Sequence, residues 1–299
     1  MVDFVANIRF MKEILENWIE LNRVDFSSLE KDSHTVHHAA QFIAYATKQL
    51  IDEKKDDSHT AAYWIPDKNM LAGHKIAAAD GDIVIGLNYS ELHLLITNES
   101  LEIISQTETL GNTKKDLLEW MVVELKNHGL ISSHLDGKMH YDIPTHETER
   151  GEPFQLIDKK NLQELAHYRT NGHMILNYFS GRFASANEVL VWPHHFDEGV
   201  YIPVSFENES AIQSIGLGLA VPDTYYDNPY FYVTTWEKTA REYEHLPELR
   251  KAGKWHTQEW TGQVLEAKEI VGLRKEAQAE TTIHFMENAI QNAMDLLNQ

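Results

Sequence analysis

Thirteen residues, 187–199, hold the densest chemistry in the chain: Asn-Glu-Val-Leu-Val-Trp-Pro-His-His-Phe-Asp-Glu-Gly. An apolar run leads into an indole, two adjacent imidazoles and two carboxylates. If the backbone from Trp192 to Glu198 is extended, alternate side chains point to opposite faces. His195 and Asp197 then project together, with Trp192, His194, Phe196 and Glu198 opposite. An imidazole beside a carboxylate can act as an oriented general base or hold a divalent metal. The catalytic candidates are therefore His195, Asp197 and His194, with Trp192 and Phe196 shaping a ligand pocket. If a metal is held here, its ligands come from His194, His195, Asp197 and Glu198. The competing expectation is plainer: one imidazole bonds to backbone and the acids are solvated.

Two further clusters have the same ingredients. His34, His37, His38 and Gln41 fall three or four apart on a helical stretch, so most share one polar face. They read either as a ligand-binding face, with His37 and Gln41 as contacts, or as a wet face rich in histidine. No His-Glu-x-x-His pattern accompanies them. Trp255-His256-Thr257-Gln258-Glu259-Trp260 places two indoles around one imidazole and one acid. Trp255 and His256 are ligand candidates there, against the alternative that the indoles close a core. No Gly-x-Gly-x-x-Gly or phosphate loop is present, and Gly216-Leu217-Gly218 lacks a following helix, so no nucleotide cofactor is expected.

The elements that must position these residues follow from periodicity. Apolar residues at helical spacing predict helices over 2–22 and from about 33 to 51. The period then changes: 61–66, 81–87, 91–97 and 101–106 are short runs separated by turn residues, a meander of antiparallel strands. Thr113 with Asp116 suggests a capping box for a helix whose stripe is Leu117, Leu118, Met121, Val122 and Leu125, stopped at Gly129. Residues 132–157 carry polar and turn residues with two prolines, a connection between halves. Asp158 can cap a helix to about Phe179, which Gly172 could interrupt. Strands are expected at 188–192, 200–206, 212–221 and 230–236, and helices at 261–271 and 280–297. Trp192 and Trp236 should be at least partly buried. The class is α+β, because strands cluster rather than alternate with helices. The two expected parts are a helix–meander–helix half, 1–150, and a helix–strands–helix half, 151–299, which carries the main candidate site and could resemble the first.

Composition narrows the function. A hydrophobic share of 42% with seven Trp implies a folded globule. The net charge of −20 repels phosphate backbones and anionic lipid, so neither nucleic acid nor membrane is an expected partner. With no cysteine there is no disulfide and no thiolate chemistry, which fits a cytoplasmic protein. The first residues lack a basic stretch leading into an apolar core, so no signal peptide is expected. No run approaches the roughly 18 apolar residues of a spanning helix.

The order of motifs resembles a bacterial domain-of-unknown-function family. That family has a helix with His and Gln four apart, a small sheet, a helix ending Phe-x-Gly-Lys, and a strand Phe-Phe-Trp-Gly-Ser-Phe-Asp. A Gly-containing strand, a Pro-x-Phe-Tyr strand and a terminal helix follow. The similar positions here are His37 and Gln41, Phe179 to Arg182, Val191-Trp192 through Phe196-Asp197, Gly216, and Pro229 to Tyr232. Pro193-His194-His195 stands where the family has Gly-Ser, and Arg182 replaces a Lys. The resemblance implies a shared α+β fold and no particular reaction. Two functions are compatible with these residues: a hydrolase-like enzyme with a His/Asp/Trp-lined small-molecule pocket, or a non-catalytic ligand-binding or protein-interaction protein.

Overall fold

The computed structural model describes residues 4–131, 134–239, 243 and 245–298. Its element order is α1 (Phe4–Asn17), α2 (Phe26–Leu50), β1 (Tyr63–Ile65), β2 (Met70–Ile76), β3 (Ile83–Asn88), β4 (His93–Asn98), β5 (Ile103–Glu108) and α3 (Lys114–Asn127). Then come α4 (Lys160–Ser180), β6 (Leu190–Val191), β7 (Glu198–Glu207), β8 (Ser210–Ala220), β9 (Tyr230–Glu237), β10 (Lys254–His256), β11 (Gly262–Glu266), α5 (Ala267–Ile270) and α6 (Lys275–Leu297). Helices and two antiparallel sheets make this an α+β protein.

The contacts define two compact units that are not consecutive in sequence. The α2 unit comprises Asp25–Ala166 and Leu190–Asp197; the α6 unit comprises Met1–Val24, His167–Val189 and Glu198–Gln299. The division thus differs from a single boundary at 150/151. Residues past 150 stay with α2 because its side chains bond their backbone. Residues 190–197 return to the same unit through a bridge between Ala62 and Val191.

In the α2 unit the meander runs β1-β2-β3-β4-β5. β2, absent from the sequence expectation, is covered closely by α2: a Cβ on Gly73 would lie 2.7 Å from a methyl of Ile43. That glycine, with His74 and Lys75 after it, breaks the alternation that signals a strand. α3 begins with the expected capping box between Thr113 and Asp116 and ends before Gly129, at φ +70°. Only Leu117, Met121 and Leu125 of its stripe are buried; Leu118 and Val122 are half-exposed.

The decisive feature of this unit is how residues 134–158 are held. They contain one 3-10 turn and no strand, yet α2 side chains take their backbone groups turn after turn. Gln49 donates to the His134 carbonyl and accepts from the Asp136 N–H. Lys48 donates to the Lys138 carbonyl, at 2.8 Å. The Tyr141 hydroxyl donates to Gln41 Oε1 at 2.9 Å, and His38 Nε2 donates to the Pro144 carbonyl at 2.8 Å. Thr35 donates to the Gln155 carbonyl. The buried Asp32 carboxylate accepts from the backbone N–H of Ile157 at 2.7 Å, from Asp158 at 3.0 Å and from Asn161 Nδ2 at 2.7 Å. An irregular segment cannot satisfy its own peptide groups, so a helix with a polar face does it instead. This strap runs antiparallel to α2.

In the α6 unit the antiparallel order is β10-β11-β9-β8-β7. Register aligns Val200, Leu217, Val233 and Gln263 across the strands. That face meets α6, where Gln263 Nε2 donates to the Ala289 carbonyl and Met286, Ala289 and Ala293 are buried. α4 is continuous through Gly172, whose missing Cβ would sit 2.6 Å from Leu219. The expected helix over 261–271 is instead β11 followed by the single turn α5, because pairing with β9 captures the short apolar run. The first helix stops at Asn17; Trp18 and Leu21 are then fixed by Gln278 of α6. Trp192 is half-buried as expected, but Trp236 is 49% exposed, on the sheet face opposite α6.

Asp32→Ala removes the acceptor of two partly buried backbone N–H groups and of the buried Asn161 amide, which keeps only Ser28. A fully buried donor left unsatisfied costs about 1–3 kcal/mol, and a partly buried one less. Urea unfolding is expected to show a loss of about 2 kcal/mol, with a smaller loss for Asp32→Asn, which keeps one acceptor oxygen.

Candidate functional site

The segment from Trp192 to Glu198 is not an extended strand. It is a tight turn in which the Trp192 N–H donates to the Asp197 carbonyl and the Phe196 N–H to the Trp192 carbonyl. Phe196 takes φ +56°, a left-handed conformation unusual for an aromatic residue. Its ring is buried and stacks on His37, with centroids 4.7 Å apart and planes within 2°. The alternation that would have put His195 and Asp197 on one face is therefore lost. His195 is exposed, Asp197 and His194 are half-buried, and the two imidazole centroids are 4.5 Å apart. Burial, helped by His195, pushes the His194 pKa down against the pull of Asp197, so this ring is neutral at pH 7. Its ring also approaches Trp192 and Tyr141.

His37 and Gln41, far from forming a wet face, are buried and converge on one atom. His37 Nε2 and Gln41 Nε2 each donate to the Pro193 carbonyl at 2.8 Å. They hold the 192–197 turn rather than offering free donors to a ligand. His38 is buried as well, and only His34 of that group is half-exposed. Glu198 is bonded elsewhere: fully buried, it accepts from His173 Nδ1 of α4 at 2.8 Å, and its second oxygen has no hydrogen-bond partner among the described residues. Among the described residues no group of three His, Asp or Glu is arranged to hold a metal ion, so the quartet His194, His195, Asp197 and Glu198 does not assemble as a ligand set. In the α6 unit, Trp255 donates its indole N–H to the Pro247 carbonyl. His256 is bound through both ring nitrogens, to the Tyr226 hydroxyl and the Gln258 carbonyl, and stacks on Trp260 at 3.9 Å. That cluster is a packed aromatic corner.

The opening that remains lies where the strap crosses α2 and the start of α3. A cavity of about 450 Å³ is lined by His38, Gln41, Tyr45, Lys114, Tyr141 and Glu149, and by residues 137–139 and 142–145 of the strap. Lys114 ion-pairs with Glu149 at 2.8 Å and lies 5.2 Å above the Tyr45 ring. Burial opposes charge on both partners, but the pair prevails: Lys114 is held above its ordinary pKa and Glu149 below its own. Burial raises both tyrosines, Tyr141 far beyond the ordinary phenol value, so both are neutral hydroxyls. Burial likewise lowers His38, although the Pro144 carbonyl and Glu149 pull the other way. His146 stacks on His38 at 4.9 Å and falls to about 4, through burial and then the neighbouring His38 and His34. The lining thus carries the paired ammonium and carboxylate of Lys114 and Glu149 beside the uncharged His38, Tyr45, Tyr141 and Gln41, with Lys138 and Asp142 on the strap side.

Of this lining, His38 and Gln41 belong to the helical cluster read from the sequence, and only Gln41 was a named ligand contact there. Lys114 and Glu149 were invisible as a pair because they are 35 residues apart, and nothing in 132–157 marks its tyrosine and histidines as fixed on a helix.

No family model, no curated protein and no solved structure matches the chain. Among the described residues, no helix is long and apolar enough to cross a membrane.

The depressed histidines fix the sign of the pH dependence. His146 and His38 bind protons more readily unfolded than folded, so stability is full above about 6.5 and declines as pH falls towards 4. Chemical unfolding at pH 7, 6 and 5 should show this decline, and His146→Phe should flatten it. A wild-type slope unchanged by the substitution would remove His146 as its source.

Proposed function

We propose that the chain binds a small molecule in the α2 unit, in the cavity bounded by His38, Gln41, Tyr45, Lys114, Tyr141 and Glu149. The observation that carries this reading is the pre-set polar lining of an open cavity: an ammonium and a carboxylate in fixed charge states beside neutral donors and acceptors. Binding without turnover fits this lining better than hydrolysis does, since the one N–H of neutral His38 is given to the Pro144 carbonyl and its other ring nitrogen faces the Glu149 carboxylate at 3.5 Å. A cytoplasmic location belongs to the same proposal, on the absence of cysteine and the acidic surface. So does kinship with the bacterial family resembled in sequence: His37, Gln41 and the 192–197 turn, three of its shared positions, contact one another.

A hydrolase-like enzyme is the second reading, favoured by His173 and Glu198. A buried carboxylate that accepts from Nδ1 leaves Nε2 as the acceptor, the arrangement of an oriented general base. Ester or amide turnover lost in His173→Ala, with cavity binding intact, would be its signature.

The test of the main reading is a thermal-shift screen of polar metabolites on wild type, Lys114→Met and His195→Ala. Ligand-induced stabilisation is expected in wild type, retained in His195→Ala and lost in Lys114→Met. The reverse pattern would move the site to the 192–197 turn. No response in wild type would overturn the proposal.

A further inference from the structure

We infer that the ligand is a single-chain amphiphile: a carboxylate head at the Lys114 end of the cavity and a hydrocarbon tail laid along α3. This inference rests on the cavity reading and specifies its ligand class. A second opening, of about 710 Å³, adjoins the first, and both are lined by Lys114, Gly137, Lys138 and Glu149. Its floor is apolar. Leu118 and Val122, one helical turn apart, face it with Val123 and Leu135.

α3 therefore carries two apolar stripes. Leu117, Met121 and Leu125 are buried in the core, whereas Leu118 and Val122 are half-exposed and Val123 is 55% exposed. A stripe left uncovered beside a polar cavity suits a molecule with one apolar end and one polar end. Charge selects the sign of the polar end. Lysines 114, 115 and 138 border this one opening together with Glu119, Asp136 and Glu149, and each of the three carboxylates is already held in an ion pair. Lys115 is paired with Glu119 at 3.7 Å, and Lys114 is held charged by Glu149. The exposed Lys138 makes no ion pair among the described residues, so it is the cation available to an incoming carboxylate, with Lys114 behind it. Gly137, which lines both openings, lies against Leu118, where a Cβ would come within 2.8 Å, so the strap borders the apolar stripe directly.

The test is calorimetric titration of the full chain with butanoate, octanoate and dodecanoate below their micelle concentrations, and with dodecyltrimethylammonium. Affinity is expected to rise with length by up to about fourfold per methylene that the trough covers. Dodecanoate should bind more tightly than the cationic analogue, and Leu118→Glu and Val123→Glu should each remove the length dependence. The second variant changes a solvent-exposed position and so guards against a folding defect. Equal affinity along the series would overturn the tail while leaving the cavity reading intact, and equal affinity for cation and anion would overturn the head. Self-association abolished by Leu118→Glu, with no length dependence in wild type, would assign the stripe to a second copy instead. No binding of any member, with no response in the metabolite screen, would overturn both readings.

Discussion

The polar face of α2 is the constraint on which the α2 unit depends. Asp32, Thr35, His38 and Gln41 recur at roughly one-turn intervals, Lys48 and Gln49 follow two turns on, and each bonds to the strap of residues 134–158. Gln41 is the junction. Its amide nitrogen holds the Pro193 carbonyl together with His37, and its oxygen accepts from Tyr141. One side chain thus ties the 192–197 turn and the strap to the same helix. Buried polar groups are costly unless fully satisfied, and a satisfied network fixes a unique arrangement more firmly than apolar contacts alone. The cavity is the gap left where the strap passes α2 and the start of α3, and it is edged by Lys114 and Glu149.

The same network explains a local strain. A non-glycine residue in the left-handed region persists where its surroundings over-determine it. Phe196 is held by its stack on His37, by the backbone bonds of the turn and by the fixed Pro193 carbonyl next to it. His37 therefore acts twice, through its nitrogen and through its face. Neither role needs the imidazole charged.

Much of the architecture was legible in the sequence because it rests on local pattern. The α+β class, four strands of the meander, the capping box at Thr113 and the terminal helix all follow from period and turn chemistry. What failed depends on tertiary partners. β2 is interrupted by Gly73 because α2 needs the space, and β11 reads as helix until β9 is there to pair with it. At the site, spacing grouped His37, His38 and Gln41 on one helical face but could not tell whether water or a carbonyl would meet them. The alternation argument for His195 and Asp197 assumed an extended backbone, and the turn at Phe196 removed the assumption. The strap was hidden most completely. A stretch of turn residues with two prolines looks the same whether it hangs in solvent or is bonded along a buried helix.

Amide hydrogen exchange on the native protein tests the central claim most directly. The Ile157 and Asp158 N–H groups lie in irregular chain, and their acceptor is the Asp32 carboxylate. If α2 holds the strap as part of the folded unit, both amides exchange as slowly as those in the middle of α2. Exchange at the rate of an open loop, with α2 still protected, would show that the strap is not held and would contradict the account.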